Sequence, residues 1–186
     1  MPAPRVSIQT GDFDLAAEVA ALRAGDGRVG AVCSFVGMVR DRNSVPTLPA
    51  ARGSLPSEGA LSPWGGPAAT GEGDAVSEME LEHYPGMTEK AIEAMIDEAQ
   101  RRFDILGARV VHRVGRLRPQ EQIVLVAVAS PHRGQAFQAC EFLMDYLKTQ
   151  APFWKKETTP AGARWVDARV ADDAALARWG LGSRNA

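Results

Sequence analysis

Residues 122–157 read QIVLVAVASPHRGQAFQACEFLMDYLKTQAPFWKKE, and the change of hydrophobic period inside this one stretch decides the fold. Gln122–Ala129 is an apolar run rich in β-branched residues and of strand length. From His132 to Thr149 the period lengthens. Ala136, Phe137, Cys140, Leu143, Met144 and Leu147 fall at helical spacing and are expected to form a buried stripe. Ser130 as N-cap and Pro131 as first helical residue make a good start for that helix. Trp154–Glu157 then reads as a short strand.

Upstream, Arg109–Val114 is a further strand, joined to Gln122 through a turn at Arg118-Pro119-Gln120. MELEHY, from Glu78 on, alternates like a strand and ends in the turn Pro85-Gly86. Thr88 is placed to cap a helix running to Phe103, with Ala91, Ile92, Met95, Ile96, Ala99 and Phe103 at helical spacing. Nearer the N-terminus, Arg5–Gln9 reads as a strand. Asp12 or Asp14 caps a helix to Arg23 that Gly25 ends, with Leu15, Val19 and Leu22 on one face. Val29–Val39 is β-rich but broken by Gly37, which signals a bulge or a close backbone approach. Downstream come a strand at Arg164–Ala168 and a helical turn near Ala174–Trp179. Strands and helices mix without a strict βαβ repeat, so the expected class is α+β, with mixed and antiparallel strands and three main helices.

The stretch at about 44–76 differs in character. Pro, Gly, Ala and Ser dominate it, and no apolar period runs through it. It reads as a flexible loop inserted into a single domain spanning 1–186. A 45% apolar and 24% charged composition fits a soluble globular chain. With neither an 18-residue apolar run nor a secretory signal, no membrane role and a cytoplasmic location are expected. Cys33 and Cys140 sit in apolar runs without C-x-x-C spacing, so they read as buried reduced thiols, and no metal site is expected.

Charge is unevenly spread. Arg109–Arg169 holds ten Lys/Arg against five Asp/Glu, a surplus of +5 that leaves the remainder at −7. Such a distribution suggests a local anion site; an uneven but solvated surface is the alternative. His132 and Arg133 sharpen the first reading. Cationic side chains at the positive end of a helix dipole conflict with it unless an anion sits there, and a phosphate would remove the conflict. A His-Arg pair turned to water is the bland alternative. Lys148, in the last turn, is favoured by the dipole alone. Lys155 and Lys156, if extended, point to opposite faces. Flanked by Phe153 and Trp154, a lysine there is a candidate for partial desolvation and proton transfer. Arg40 ends a strand just before the loop, within reach of a ligand. No Walker loop, G-x-G-x-x-G or H-E-x-x-H is present.

Four segments, SFVGMVRDRN, LEHYPGMTEKAI, ASPHRGQAF and above all MDYLKTQAPFWKKE, resemble the molybdopterin synthase catalytic (large) subunit family. With VVHRVGRL and RWVDA, the resemblance covers roughly residues 28–43 and 78–169. It implies an α/β hammerhead fold and a homodimer. Each subunit would bind a small ubiquitin-like sulfur carrier ending in a Gly-Gly thiocarboxylate, making a heterotetramer. The implied reaction moves sulfur from that carrier to cyclic pyranopterin monophosphate (precursor Z), forming the dithiolene of molybdopterin without a cofactor.

Carried over by position, Lys148 and Lys155 match the family's catalytic lysines. Arg40, His132 and Arg133 match its pterin-phosphate residues, Arg40 being expected to reach across the dimer. Phe35, Met144 and Lys156 match pocket or tail-contacting positions, and Glu157 is expected to orient a neighbouring lysine. The departure is the loop. Thirty-seven residues separate Asn43 from Leu81, where the family has a much shorter connection. The insertion reads either as passive or as a gate or carrier contact. Two rival functions are a catalytically silent carrier-binding scaffold and a basic nucleic-acid-binding module. Retention of both lysines opposes the first. Aromatics at 6% and a pI near 5.9 oppose the second.

Overall fold

The computed structural model describes residues 4–41, 75–160, 162–166 and 179–180. Eight strands and three helices follow one another along these residues: β1 (Val6–Gln9), α1 (Leu15–Arg23), β2 (Ala31–Met38), β3 (Glu78–His83), α2 (Met87–Arg102), β4 (Gly107–Arg113), β5 (Gly115–Leu117), β6 (Gln122–Ser130), α3 (Arg133–Gln150), β7 (Phe153–Thr159) and β8 (Gly162–Val166). They form two four-stranded sheets, ordered β1-β4-β6-β2 and β5-β3-β7-β8. Only β1 and β4 pair in parallel, so the α+β expectation holds.

The near-continuous apolar run of β6 has a direct cause: both faces of the first sheet are covered. Val124, Val126 and Val128 point toward α2 and α3, packing with Ile92, Ile96, Phe142 and Leu143. Leu125 and Ala127 face the other way, with Val111, Phe13 and the half-buried Val19 and Leu22 from the α1 side. A small cluster of Val39, Met79, Leu81 and Leu117 joins the sheets.

Several boundaries depart from the sequence reading. Helix α2 starts at Met87, not after Thr88. Gly86, at φ 80°, turns the chain where other residues are strained, and its N–H is held by Glu89 Oε2 at 2.6 Å. Thr88 is instead buried, its hydroxyl donating to the Tyr84 carbonyl. Helix α3 starts two residues later than expected, with His132 as N-cap. Ser130 Oγ accepts from the His132 N–H at 3.1 Å, closing the strand-to-helix turn rather than the helix itself. Phe137 is 63% exposed and outside the buried stripe, while Ala139 and Phe142 belong to it. That stripe is broader than one apolar period because α3 packs on both the sheet and α2.

Strand β5 is an element that no sequence period marks. Its three residues begin with Gly115, whose φ of 83° turns the chain from the first sheet into the second. The inserted loop lies outside the described residues except for its end: Val76 is 4% exposed and hydrogen-bonded to the Asp41 carbonyl. Residues 174–178 of the expected C-terminal turn also lie outside them. Trp179 packs edge-on against Phe103 and Phe142.

Candidate active site

Three strands of the first sheet build a floor. His112 of β4 lies opposite Val124 of β6, which lies opposite Gly37 of β2. At the usual strand spacing this row is about 10 Å wide. A Cβ on Gly37 would stand 2.7 Å from Val124 Cγ1, and the register shifts between Gly37 and Met38. Both alternatives read from the sequence, bulge and close approach, are therefore present.

Over this floor run the last turns of α3, which contribute Met144, Leu147 and Lys148. Phe35 closes one end and Phe153 and Ala151 the other, leaving a cleft of about 280 Å³. Its walls are mostly carbon. The ionisable side chains among them are Lys148 and His112. Phe35, from one sequence block, and Met144 and Lys148, from another, are thus brought together.

His112 went unnoticed in the sequence; the one available signal was a polar residue inside the apolar run VVHRV. Its ring stacks on Phe153, with centroids 3.8 Å apart and planes 17° from parallel. Nδ1 lies 2.8 Å from the Arg113 carbonyl. A carbonyl only accepts, so Nδ1 carries the proton and Nε2 is the lone-pair nitrogen. Burial pushes the imidazole down to about 4; the Arg113 hydrogen bond opposes the shift and nearby His83 adds to it. The ring is neutral at pH 7.

On β7, alternation sets Phe153, Lys155 and Glu157 on one face and Trp154 and Lys156 on the other. Lys155 Nζ lies 2.6 Å from Glu157 Oε1, and the carboxylate is almost wholly buried. Lys155 and Lys156 thus point to opposite faces; Lys155 shares its face with Phe153 and is held by Glu157, while Trp154 faces away and is 48% exposed. Lys156 stands over the Trp165 ring, 5.6 Å from its centroid.

His132 and Arg133 lie elsewhere. Both are exposed at the N-terminus of α3, and Lys148 is sixteen residues further on. At 1.5 Å per residue the two ends are roughly 24 Å apart. Arg40 follows Val39 at the cleft end of β2, while the other end of that strand meets Ser130, where the Gly30 N–H bonds the Ser130 carbonyl. One chain therefore gathers Phe35, Arg40, Met144 and Lys148 at one end and His132 with Arg133 at the other. Part of the positive surplus read from the sequence is structural. Arg109 makes a bidentate pair with Glu18, and Arg113 is buried against the Thr10 and Gln122 carbonyls.

Among the described residues no His/Cys/Asp/Glu cluster is arranged to hold a metal ion. Cys33 and Cys140 are unbridged, and burial beside Cys33 pushes the Cys140 thiol up to about 12, so it is no nucleophile. No helix of the described residues is long and apolar enough to cross a membrane.

The family model described as MoaE protein matches residues 50–150. The molybdopterin synthase catalytic subunit of Ralstonia nicotianae is 56% identical over 98% of this chain and 88% of its own. That of Escherichia coli is 55% identical over 58% of this chain and 71% of its own. Among solved structures, a molybdopterin biosynthesis MoaE protein from Burkholderia ambifaria superposes with a TM-score of 0.70 at 53% identity, covering 96% of this chain and 99% of that one. The molybdopterin synthase of Staphylococcus aureus superposes at 0.69 with 25% identity, covering 89% and 98%.

Proposed function

The chain belongs to the MoaE protein family, and on that premise we propose that it is the catalytic subunit of a molybdopterin synthase. It transfers sulfur from the thiocarboxylated C-terminus of a small carrier subunit to cyclic pyranopterin monophosphate, and it works in the cytoplasm. The observation that carries the reading is the cleft itself. A floor without a side chain at Gly37 and apolar walls leading to Lys148 suit a thin Gly-Gly tail ending in an anion. The nucleophilic sulfur arrives with the carrier, consistent with an inert Cys140.

In this reading Lys148 stands beside the thiocarboxylate and Lys155 beside the pterin, as proton-transfer and charge-stabilising groups. Glu157 orients Lys155, and Lys156 contacts the tail from the outer face of β7. Arg40, His132 and Arg133 hold the pterin phosphate, with the guanidinium forks and the α3 N-terminus supplying donors. In this reading, which the roughly 24 Å along α3 supports, His132 and Arg133 of one subunit serve the Lys148 end of another, and the working unit is a homodimer carrying two carriers.

Reconstitution tests this. The chain, thiocarboxylated carrier and precursor Z are combined, and molybdopterin is read by fluorescence after oxidation. Product requiring all three is expected. Carrier binding without product would instead favour the silent scaffold, and absence of both would sink the reading.

A further inference from the structure

We propose that His112 is a substrate-contacting residue of the cleft, its Nε2 accepting a hydrogen bond from a backbone N–H of the carrier's C-terminal tail. This rests on the carrier reading above and adds to it the residue and atom that hold the tail in register.

The argument is geometric. The ring is clamped on Phe153 and its Nδ1 proton is committed to the Arg113 carbonyl, so Nε2 is left as an acceptor in a fixed position. No hydrogen bond links Nε2 to another described residue. His112 lines the same cleft as Lys148. The floor row from Gly37 to His112 spans about 10 Å, the length of about three extended residues. An extended peptide without side chains presents backbone N–H donors at regular intervals along such a floor. Buried in apolar walls, an N–H without an acceptor costs as much as a lost hydrogen bond. His112 supplies that acceptor, while Lys148 supplies the charge for the terminal anion.

A pterin fits the same floor less well. Its edge carries several donors and acceptors, and two polar side chains would leave most of them unsatisfied. The charged and titratable groups around the ring are Lys148 across the cleft and His83 on β3, which lies opposite Phe153 in register.

The test uses the full chain and the carrier in its carboxylate form. Calorimetric titration compares wild type, His112→Phe, which keeps a ring to stack, and His112→Gln, which keeps an acceptor. His112→Phe should weaken carrier binding by about 10-fold, and His112→Gln should recover part of the loss. A carrier lacking its terminal Gly-Gly should bind all three equally, and in a separate assay with the thiocarboxylated carrier the KM for precursor Z should be unchanged. Equal weakening toward full and truncated carrier, or a change confined to KM, would overturn the proposal. A wild-type chain that binds no carrier would bring down the carrier reading beneath it as well. A second readout needs no variant: in ¹⁵N spectra of wild type, the Nε2 resonance of His112 should move upfield on carrier addition while Nδ1 stays protonated. An unmoved Nε2 would overturn the assignment.

Discussion

Lys155 Nζ lies 2.6 Å from Glu157 Oε1, an acid whose side chain is 1% exposed against 29% for the lysine. The two are alternate residues on one face of β7, so a buried carboxylate holds the partly exposed cation. Replacing Lys155 by Ala strips a counter-ion from that carboxylate and should cost about 1–3 kcal/mol, lowering Tm by roughly 3–10 °C. Lys156→Ala, on the other face, should move Tm far less. Glu157→Gln should stay folded yet lose activity, because Lys155 is no longer aimed. Scanning calorimetry with the reconstituted assay checks all three, and a Tm unchanged in Lys155→Ala would remove the pairing from the argument.

Opposite ends of α3 serve one site only if two subunits share it. Lys148→Ala should keep the dimer and carrier binding while losing product formation by about 100-fold or more, and Arg133→Ala should weaken pterin use. Mixed dimers of the two variants contain one site with both defects and one with neither. Random assembly should therefore return about a quarter of wild-type activity. No recovery in verified mixed dimers would mean that each site is built within one chain.

A side chain at Gly37 would force Val124 to shift. In Gly37→Ala the new methyl meets Val124 Cγ1, in the middle of the cleft floor. We expect a stability loss of about 1–3 kcal/mol from overpacking, together with carrier affinity reduced more than in Val36→Ala. Urea melts and carrier titration measure the two parts. Normal affinity in Gly37→Ala would show that the tail does not cross this floor.

His112 gives a pH signature. Its folded value is depressed to about 4 from an ordinary 6.5 by burial. Between those values the unfolded chain binds a proton that the folded chain does not, so stability falls as pH falls through 6.5 toward 4. Above 6.5 the residue contributes nothing to the pH slope. The loss from pH 6.5 to 5 is roughly 2 kcal/mol. His112→Phe should lack that component, so its melting curves at pH 7 and pH 5 should differ less than those of wild type. Identical pH slopes in the two proteins would contradict the buried neutral ring.

Much of this is legible in the sequence. The apolar periods of β6, α2 and α3 are strong because each element buries a face. Asp14, rather than Asp12, caps α1, accepting from the Ala16 and Ala17 N–H groups as a short acid at a helix start should. Phe35, Met144 and Lys148 were recognisable from sequence blocks, since those blocks carry their pattern in linear order. Thr88 and Ser130 misled because a hydroxyl beside a helix start satisfies either the helix or the turn before it, and only the folded backbone selects one. Strand β5 was too short to carry a period, and Gly115 marks it only after its φ is known.

By itself, then, the sequence determined the order of the elements other than β5, the α+β class, the family and three side chains that line the cleft, Phe35, Met144 and Lys148. Those properties depend on local period, capping chemistry and contiguous residue patterns. Tertiary structure alone decided that His112, Val124 and Gly37 form one row, that Lys155 is the lysine Glu157 holds, and that His132 and Lys148 stand a helix length apart. Each of these is a relation set by strand register, pleat or helix rise between residues whose neighbours in the chain give no hint of it.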